Sequence, residues 1–471
     1  MLFERFEDKG LAQYSYAVGC ESAGTLAIVD PRRDVDVYLE FAADRHMRIT
    51  HVLETHIHAD FASGARELGE RTGADVCVSA HDAGELYEVS FPHRDLEDGE
   101  RTALGRVQIE ALHTPGHTPE HLSFLVYDTA RTSEVPQVLL SGDFLFVGSL
   151  GRPDLIGEDV KLALAERLFD SVRRLAALPD GLEVHPGHGA GSMCGAGMGA
   201  RPMSTLGFER LANPYLRRDL SRERFVERIL GRVPPFPPYY RRMKGLNARG
   251  PRTLDGLPGQ RPIAPPAFAE LRGQDHVVID LRDQIAFGGG HIPEAFGIGL
   301  GSNLSTWAAW VVPFDAPLLL VCDEPAQASE AARALVRVGL DEIAGYLDGG
   351  MQAWIEAGFP VARTRQESPS EVYRRLTREP AMRVVDVRSD EEWEAGHVCG
   401  ATHLMGGFMP ERAPALAAES GTLTLICGTG YRSTVAASVL ERAGARDLVN
   451  LTGGMTAWQH AGLPTCTDGD H

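Results

Sequence analysis

The sequence predicts an α/β protein: a larger mixed-sheet domain carrying metal-binding loops, followed by two similar domains with parallel sheets. Three observations predict it. Sequence islands repeat in the same order through the C-terminal half. Within each copy of that repeat, apolar strand-like runs alternate with helical stretches. Residues 1–190 instead show many short apolar runs separated by Gly-, His- and Asp-rich turns.

The repeat is read from four islands. VIDLR (278–282) recurs as VVDVR (384–388), and His291 in GGHI recurs as His397 in AGHV, both at a step of 106. GGMQAW (349–354) recurs as GGMTAW (453–458), and AGFP (357–360) as AGLP (461–464), both at a step of 104. Self-similarity at a fixed period marks repeated structural units. In each copy an apolar run (HVVIDLR; MRVVDVR) reads as a buried strand, and a second run (APLLLVC; GTLTLIC) follows. A helical stretch closed by Gly comes next, then a third strand and the GGM turn into another helix. Strands alternating with helices imply a parallel sheet covered on both faces. The expected divisions are 1–254, 255–363 and 368–471. The Pro- and Gly-rich stretch 234–266 is read as a connector, partly packed and partly extended.

Residues 1–190 contain the strand candidates LAIVD, THVLETH, ADVCVS, VQIEALH, LSFLVYD and QVLLSGD. A chain of 471 residues is too long for one core, and its apolar fraction of 43% is ordinary for a globular protein. A formal net charge of −19 disfavours nucleic acid and anionic membranes as partners, since both repel an acidic surface. The start, MLFERFEDKG, lacks the apolar core of a signal peptide, and no run approaches the length of a membrane span. The seven cysteines are sparse, odd in number and without a C-x-x-C pair. That pattern predicts a reduced, cytoplasmic protein without disulfides. A homo-oligomer is also expected.

The chemistry concentrates at strand ends. His56, His58 and Asp60 lie in THIHAD directly after a strand, and residues i and i+2 of an extended segment point the same way. His117 sits in the turn HTPGHT, Asp143 closes LLSGD, and His185 and His188 flank HPGH. One such His is ordinarily a packing or capping residue. Several ordered loops of this composition, each at a strand end, point to a metal site.

The ordered set H-x-H-x-D, P-G-H-T, S-G-D and H-P-G-H resembles the metallo-β-lactamase superfamily over roughly residues 1–250, which implies an αββα sandwich. One departure matters. Phe61 stands where the superfamily's H-x-H-x-D-H has its last His, and Phe cannot ligate a second metal. The surroundings THIHADFASG, HTPGHTPEH, SGDFLFVGSLGRPDL and HPGHGAGSMCG are similar to those of the persulfide dioxygenases, including members fused to rhodanese. That resemblance implies one Fe(II) per chain held by His56, His117 and Asp143. Two imidazoles and one carboxylate leave open positions and suit redox-active iron. His58, Asp60 and His188 then orient those ligands or hydrogen-bond metal-bound water, with His58 as a fourth ligand the alternative. Arg152 is read as an ion-pair partner of Asp154, with binding of a substrate carboxylate the alternative. Cys194 is a possible redox thiol, set against the usual inertness of a buried Cys.

In the last copy, Cys427 ends a buried strand, and Gly428, Thr429, Gly430, Tyr431 and Arg432 form a short loop before a helix that starts near Ser433. Inward amide groups and the helix N-terminus favour a thiolate, and Arg432 can hold an anionic sulfur donor or acceptor. With DVR, GHV and GGMxAW in order, 368–471 looks like a rhodanese domain, which implies that Cys427 forms a persulfide. Asp386, Arg388 and His397 are read as structural. In the preceding copy Cys322 aligns with Cys427, but DEPAQA replaces GTGYRS. Acidic neighbours, a proline without an N–H and a glutamine in place of Arg432 predict an inactive copy.

The resemblance therefore implies oxidation of a low-molecular-weight thiol persulfide by O2 to sulfite and thiol, with sulfur transfer to or from sulfite and thiosulfate on Cys427. Two rivals stay open: a glyoxalase II-like zinc thioester hydrolase fused to a sulfurtransferase, and a non-catalytic sulfur carrier.

Overall fold

The computed structural model describes every residue except 232, 255, 380 and 468–471. The chain folds as two compact units, one built on Met1–Leu254 and the other holding both repeats.

The first unit contains two six-stranded sheets. In the first, β1 (Leu2–Asp8), β2 (Gln13–Cys20), β3 (Thr25–Val29), β4 (Arg48–Leu53), β5 (Asp75–Ser79) and β6 (Arg94–Leu96) lie side by side in chain order. The strands are antiparallel up to β3 and parallel from β3 onward. The second sheet uses β7 (Arg101–Leu104), β8 (Val107–His113), β9 (Leu122–Asp128), β10 (Val138–Gly142), β13 (Glu183–Pro186) and β14 (Ser204–Thr205). A small hairpin of β11 (Leu145–Phe146) and β12 (Ser149–Leu150) follows β10.

Period-two alternation explains how the layers form. Along β3, Ala27 and Val29 join Tyr16, Leu53, Ile109 and Phe124 in the core between the sheets. Leu26 and Ile28 face the other way, onto Tyr38 and Leu68 of the helices Asp36–Asp44 and Ala65–Thr72. On the far side Leu125 and Leu139 pack with Leu168 and Val172 of the helix Lys161–Arg174. The result is an αββα sandwich.

Both repeats have the same topology. β15 (Pro262–Ile263), β16 (Val277–Asp280), β17 (Phe296–Gly297), β18 (Leu318–Val321) and β19 (Ile343–Leu347) form a parallel sheet in the order β15-β19-β18-β16-β17. In the second repeat β20 (Arg365–Glu367), β21 (Arg383–Asp386), β23 (Thr402–His403), β24 (Leu423–Ile426) and β25 (Leu448–Leu451) repeat it as β20-β25-β24-β21-β23. Asp386 and Arg388 form a buried ion pair matched by Asp280 and Arg282, and Arg388 and Arg282 also donate to the Gly396 and Gly290 carbonyls. These groups hold turns.

One expectation is overturned. Cys399 and Cys466 form a disulfide, with Cα atoms 5.1 Å apart. They are remote in sequence, but β22 (His397–Val398) and β26 (Thr465–Cys466) pair antiparallel and bring the side chains within bonding reach. Cys20, Cys77, Cys194, Cys322 and Cys427 are free thiols. Among the described residues no helix is long and apolar enough to cross a membrane.

Candidate functional site

His56 follows β4, His117 lies in the turn between β8 and β9, Asp143 follows β10 and His188 follows β13, so four strand ends deliver them to one edge of the sandwich. The ligating atoms of His56, His117 and Asp143 lie within 4.8 Å of one another, and all three residues are buried. Asp143 Oδ2 is 3.5 Å from His117 Nε2 and 3.9 Å from His56 Nε2.

Hydrogen bonds fix which nitrogens face inward. His117 Nδ1 donates to the Arg152 carbonyl at 2.9 Å, which leaves the Nε2 lone pair directed at the site. Thr55 Oγ1 gives its proton to Asp30 Oδ2 at 2.9 Å and accepts from His56 Nδ1 at 2.9 Å, which frees His56 Nε2 in the same way. Burial, then the neighbouring cationic groups, pushes both imidazoles well below their ordinary pKa, so both are neutral. His117 Nε2 and Asp143 Oδ2 are buried without a hydrogen-bond partner. Two lone-pair donors and a carboxylate oxygen left orphaned around one point fit a cation.

His188 Nδ1 donates to Asp143 Oδ1 at 2.7 Å, and its Nε2 lies 2.7 Å from Asp60 Oδ2. Burial opposes a charge on His188, but Asp143 and Asp60 outweigh it and raise its pKa well above the ordinary value. His188 Nδ1 thus fixes the Asp143 carboxylate, with Asp60 beside its other nitrogen. His58 lies beside His56, with ring centroids 4.2 Å apart. Its Nε2 is 3.2 Å from Asp30 Oδ1 and 3.5 Å from Glu54 Oε2, while Phe61 packs on its ring at 4.3 Å. The sequence shows Phe61, but Asp30 lies 28 residues before His58 and gives no local signal. Cys194 stands with Asp60 and His188, their ligating atoms within 4.8 Å. Burial, then those carboxylates, pushes its thiol pKa well up, so it is a protonated thiol.

Arg152 is structural: it forks onto Asp154 at 2.7 and 2.8 Å and donates to the carbonyls of Met193, Pro234 and Pro235.

Sequence reasoning missed three supports. His121 accepts the Asp143 amide proton at Nε2 at 3.1 Å, and its ring stacks on His56. The connector forms a helix, Tyr239–Arg249, whose Lys244 donates to the Ile57 carbonyl at 2.7 Å. Its Asn247 donates to the carbonyls of His58 and Phe61 at 2.9 and 2.7 Å and accepts from the Ser63 amide. Glu120 takes the Ile57 amide at 3.0 Å, so both faces of that peptide are clamped. Lys244, one of three lysines in the chain, was the available signal. A narrow cleft adjoins this loop, lined by His56, Ile57, Asp82, Phe91 and Glu120 among others.

In the second repeat Cys427 is buried at the end of β24. The Gly430 amide donates to its Sγ at 3.1 Å, and the Ser433 hydroxyl lies 3.4 Å from Sγ and 2.6 Å from Asn450 Oδ1. Gly430 sits at φ +104°, which aims its N–H inward. Gly454 of the GGM turn comes so close that a Cβ there would meet the Cys427 carbonyl at 2.2 Å. Arg432 lies beside the Cys427 sulfur, and its fork rests on Glu392 at 2.6 and 2.6 Å. Burial alone would raise the Glu392 pKa, but Arg432 overrides it and pulls it down to about 2. Tyr431 turns away and donates to the Gly299 carbonyl at 3.1 Å, and Thr429 is exposed. In the first repeat the Asp323 and Glu324 amides are both spent on Gln327 Oε1 at 3.0 Å. Burial, then Asp323, pushes the Cys322 thiol up to about 11.

An αββα sandwich with ligating loops along one edge, joined to two parallel-sheet repeats with a sulfur-cradling loop in the second, defines the class. Residues 8–188 match the metallo-beta-lactamase superfamily, and residues 265–357 and 368–461 each match the rhodanese-like domain. A metallo-beta-lactamase structure from Staphylococcus aureus subsp. aureus COL is 34% identical, with TM-score 0.66, over 74% of this chain and 98% of that one. ETHE1 from Myxococcus xanthus is 28% identical, with TM-score 0.45, over 53% and 98% of the two chains. A hydroxyacylglutathione hydrolase from Rhodospirillum rubrum is 32% identical over 175 residues, 37% of this chain; the match spans 61% of that relative's length. The chain belongs to the metallo-β-lactamase superfamily and carries two rhodanese-like domains.

Proposed function

We propose that the first unit oxidises a low-molecular-weight thiol persulfide with O2, holding one Fe(II) on His56, His117 and Asp143, and that the last domain carries sulfane sulfur on Cys427. The observation that carries the reading is the convergence of His56, His117 and Asp143, buried with ligating atoms within 4.8 Å of one another, next to Phe61 in place of a further ligand. Phe61 has no ligating atom, His58 lies against Asp30 and Glu54, and His188 lies between Asp60 and Asp143; the ligating atoms of Asp60, His188 and Cys194 also fall within 4.8 Å of one another. Iron in that cradle supplies the electron-transfer chemistry that joins dioxygen to a sulfur anion, which zinc lacks. Written in balance, thiol persulfide, O2 and water give thiol and sulfurous acid.

The chain's own residues do the rest. Arg152 and Thr55 fix the two ring nitrogens, His188 holds Asp143 from behind, and burial excludes bulk water from the cradle. At Cys427 the sulfur attacks the outer sulfur of a thiol persulfide, and the thiol leaves with a proton. Sulfite then takes that sulfur as thiosulfate and regenerates Cys427. The Gly430 amide stabilises the sulfur anion at both stages.

The rival reading, thioester hydrolysis on a zinc pair, draws on relatives such as the hydroxyacylglutathione hydrolase of R. rubrum. Metal analysis of the purified chain, with O2 uptake and sulfite release measured on glutathione persulfide and hydrolysis on a glutathione thioester, separates the two. One iron with persulfide-dependent O2 uptake is expected. Two zinc ions with thioester turnover overturn the proposal.

A further inference from the structure

Among the described residues the disulfide occurs in the second repeat only. At the repeat steps of 106 and 104, Cys399 corresponds to Pro293 and Cys466 to Ala362. The first repeat nevertheless makes the equivalent antiparallel bridge, His291 to Ala362, without any cross-link. The backbone pairing therefore does not need the disulfide. The cross-link is found in the repeat whose loop keeps its donors on the cysteine.

Its position is also reachable and connected. Cys399 is exposed and Cys466 half-buried, so both sulfurs lie near solvent. β22, which leads into Cys399, begins at His397. The His397 ring stacks on Trp393 at 3.4 Å, and its Nδ1 donates to the Trp393 carbonyl at 3.1 Å. Trp393 adjoins Glu392 in the helix Asp390–Glu394, and Glu392 holds Arg432 of the Cys427 loop by two bonds. A chain of packed groups thus runs from the cross-link to the guanidinium beside Cys427.

We propose that Cys399 and Cys466 form a redox-active pair that is oxidised by sulfane sulfur, and that the disulfide state fixes Arg432 for anion binding. The proposal rests on the reading above in that a thiol persulfide is the oxidant. The exposed Cys399 thiolate attacks the outer sulfur of the persulfide; a Cys399 persulfide forms and the thiol leaves, taking the proton. Cys466 then attacks Cys399 Sγ, closing the disulfide and expelling hydrosulfide. Two cysteine sulfurs are oxidised, and the sulfane sulfur is reduced to sulfide. The enzyme thereby tightens its sulfur-transfer loop when its substrate is abundant.

The test uses the full chain with Cys427→Ser, reduced, desalted and treated anaerobically with glutathione persulfide. Differential alkylation followed by mass spectrometry is expected to find Cys399 bonded to Cys466, with sulfide released in equal amount. Cys399→Ser is expected to abolish both. In the otherwise wild-type chain, reduction raises the KM for thiosulfate by about threefold with a smaller change in kcat. Cys399→Pro combined with Cys466→Ala, which installs the first repeat's residues, is expected to match the reduced enzyme. Persulfide treatment that leaves both thiols alkylatable overturns the proposal. So does a disulfide that raises the unfolding temperature but leaves KM unchanged, which would make it a staple. Failure of the dioxygenase reading shows separately, as absent O2 uptake in wild type with the alkylation result intact.

Discussion

At the scale of single residues, two side chains divide the chemistry. On the proposed reading His117 serves the cradle with a buried lone pair, and Cys427 serves the sulfur-transfer loop. His117→Ala is expected to lower O2 uptake by ~100-fold or more, the upper end of what loss of even an indirect metal contact costs, and to spare sulfur transfer. Cys427→Ser is expected to do the reverse; equal loss of both activities in either variant would refute this division. Two glycines are as constrained as the ligands. A Cβ on Gly151 would stand 1.9 Å from the Asp143 carbonyl oxygen and 2.8 Å from His117 Nδ1, and one on Gly187 would stand 2.7 Å from Asp143 Oδ1. Gly151→Ala is therefore expected to lose bound metal while keeping the far-ultraviolet circular dichroism of the fold, and a variant with full metal content would contradict that. That His56, His117 and Asp143 come together was expected from the resemblance of the motifs around them. Asp30, Glu54 and His121 were not legible in the sequence, because what they do is set by strands that meet only in space.

At the scale of elements, the strand-end loops are positioned by a helix that composition hid. Residues 234–266 read as a connector from their prolines and glycines, yet Tyr239–Arg249 lacks proline and presents Tyr240, Met243, Lys244 and Asn247 as one buried stripe. Lys244→Met keeps the aliphatic stem, removes the donor to the Ile57 carbonyl and leaves Glu120 without its cation. It is expected to weaken metal binding by about tenfold and to lower the unfolding temperature; unchanged metal affinity would show the clamp to be passive. The strand candidates named from the sequence all form, but Leu2–Asp8 and Gln13–Cys20 were not among them. Every residue of Gln13–Cys20 is buried, so no alternation marks it. The helix Asp390–Glu394 gives a prediction in pH. The Glu392 carboxyl is depressed from 4.5 to about 2 by Arg432. A depressed carboxylate stabilises the fold fully above its unfolded pKa, and that contribution fades as pH falls through the window from 4.5 to about 2. Glu392→Gln is therefore expected to flatten the pH dependence of unfolding across that window, and an unaltered acid limb would show that the pair contributes nothing.

For the whole molecule, the proposed function joins in one chain a reaction that makes sulfite to a domain that would consume it. Tethering two sites sets an effective concentration for the second encounter that does not depend on how dilute the enzyme is. In wild type, the ratio of thiosulfate to free sulfite made from glutathione persulfide is therefore expected to hold as the enzyme is diluted. An equimolar mixture of full-length His117→Ala and Cys427→Ser chains contains both activities, but sulfite must diffuse from one molecule to another. Its ratio is expected to fall steadily on dilution, as bulk sulfite stays scarce while the carrier becomes rarer. Ion chromatography of both products over a dilution series measures the difference. If the mixture matches wild type at every concentration, the product leaves the first unit freely and fusion confers no transfer advantage. The first repeat keeps the fold and strand order of the second, while its loop amides of Asp323 and Glu324 are spent on Gln327.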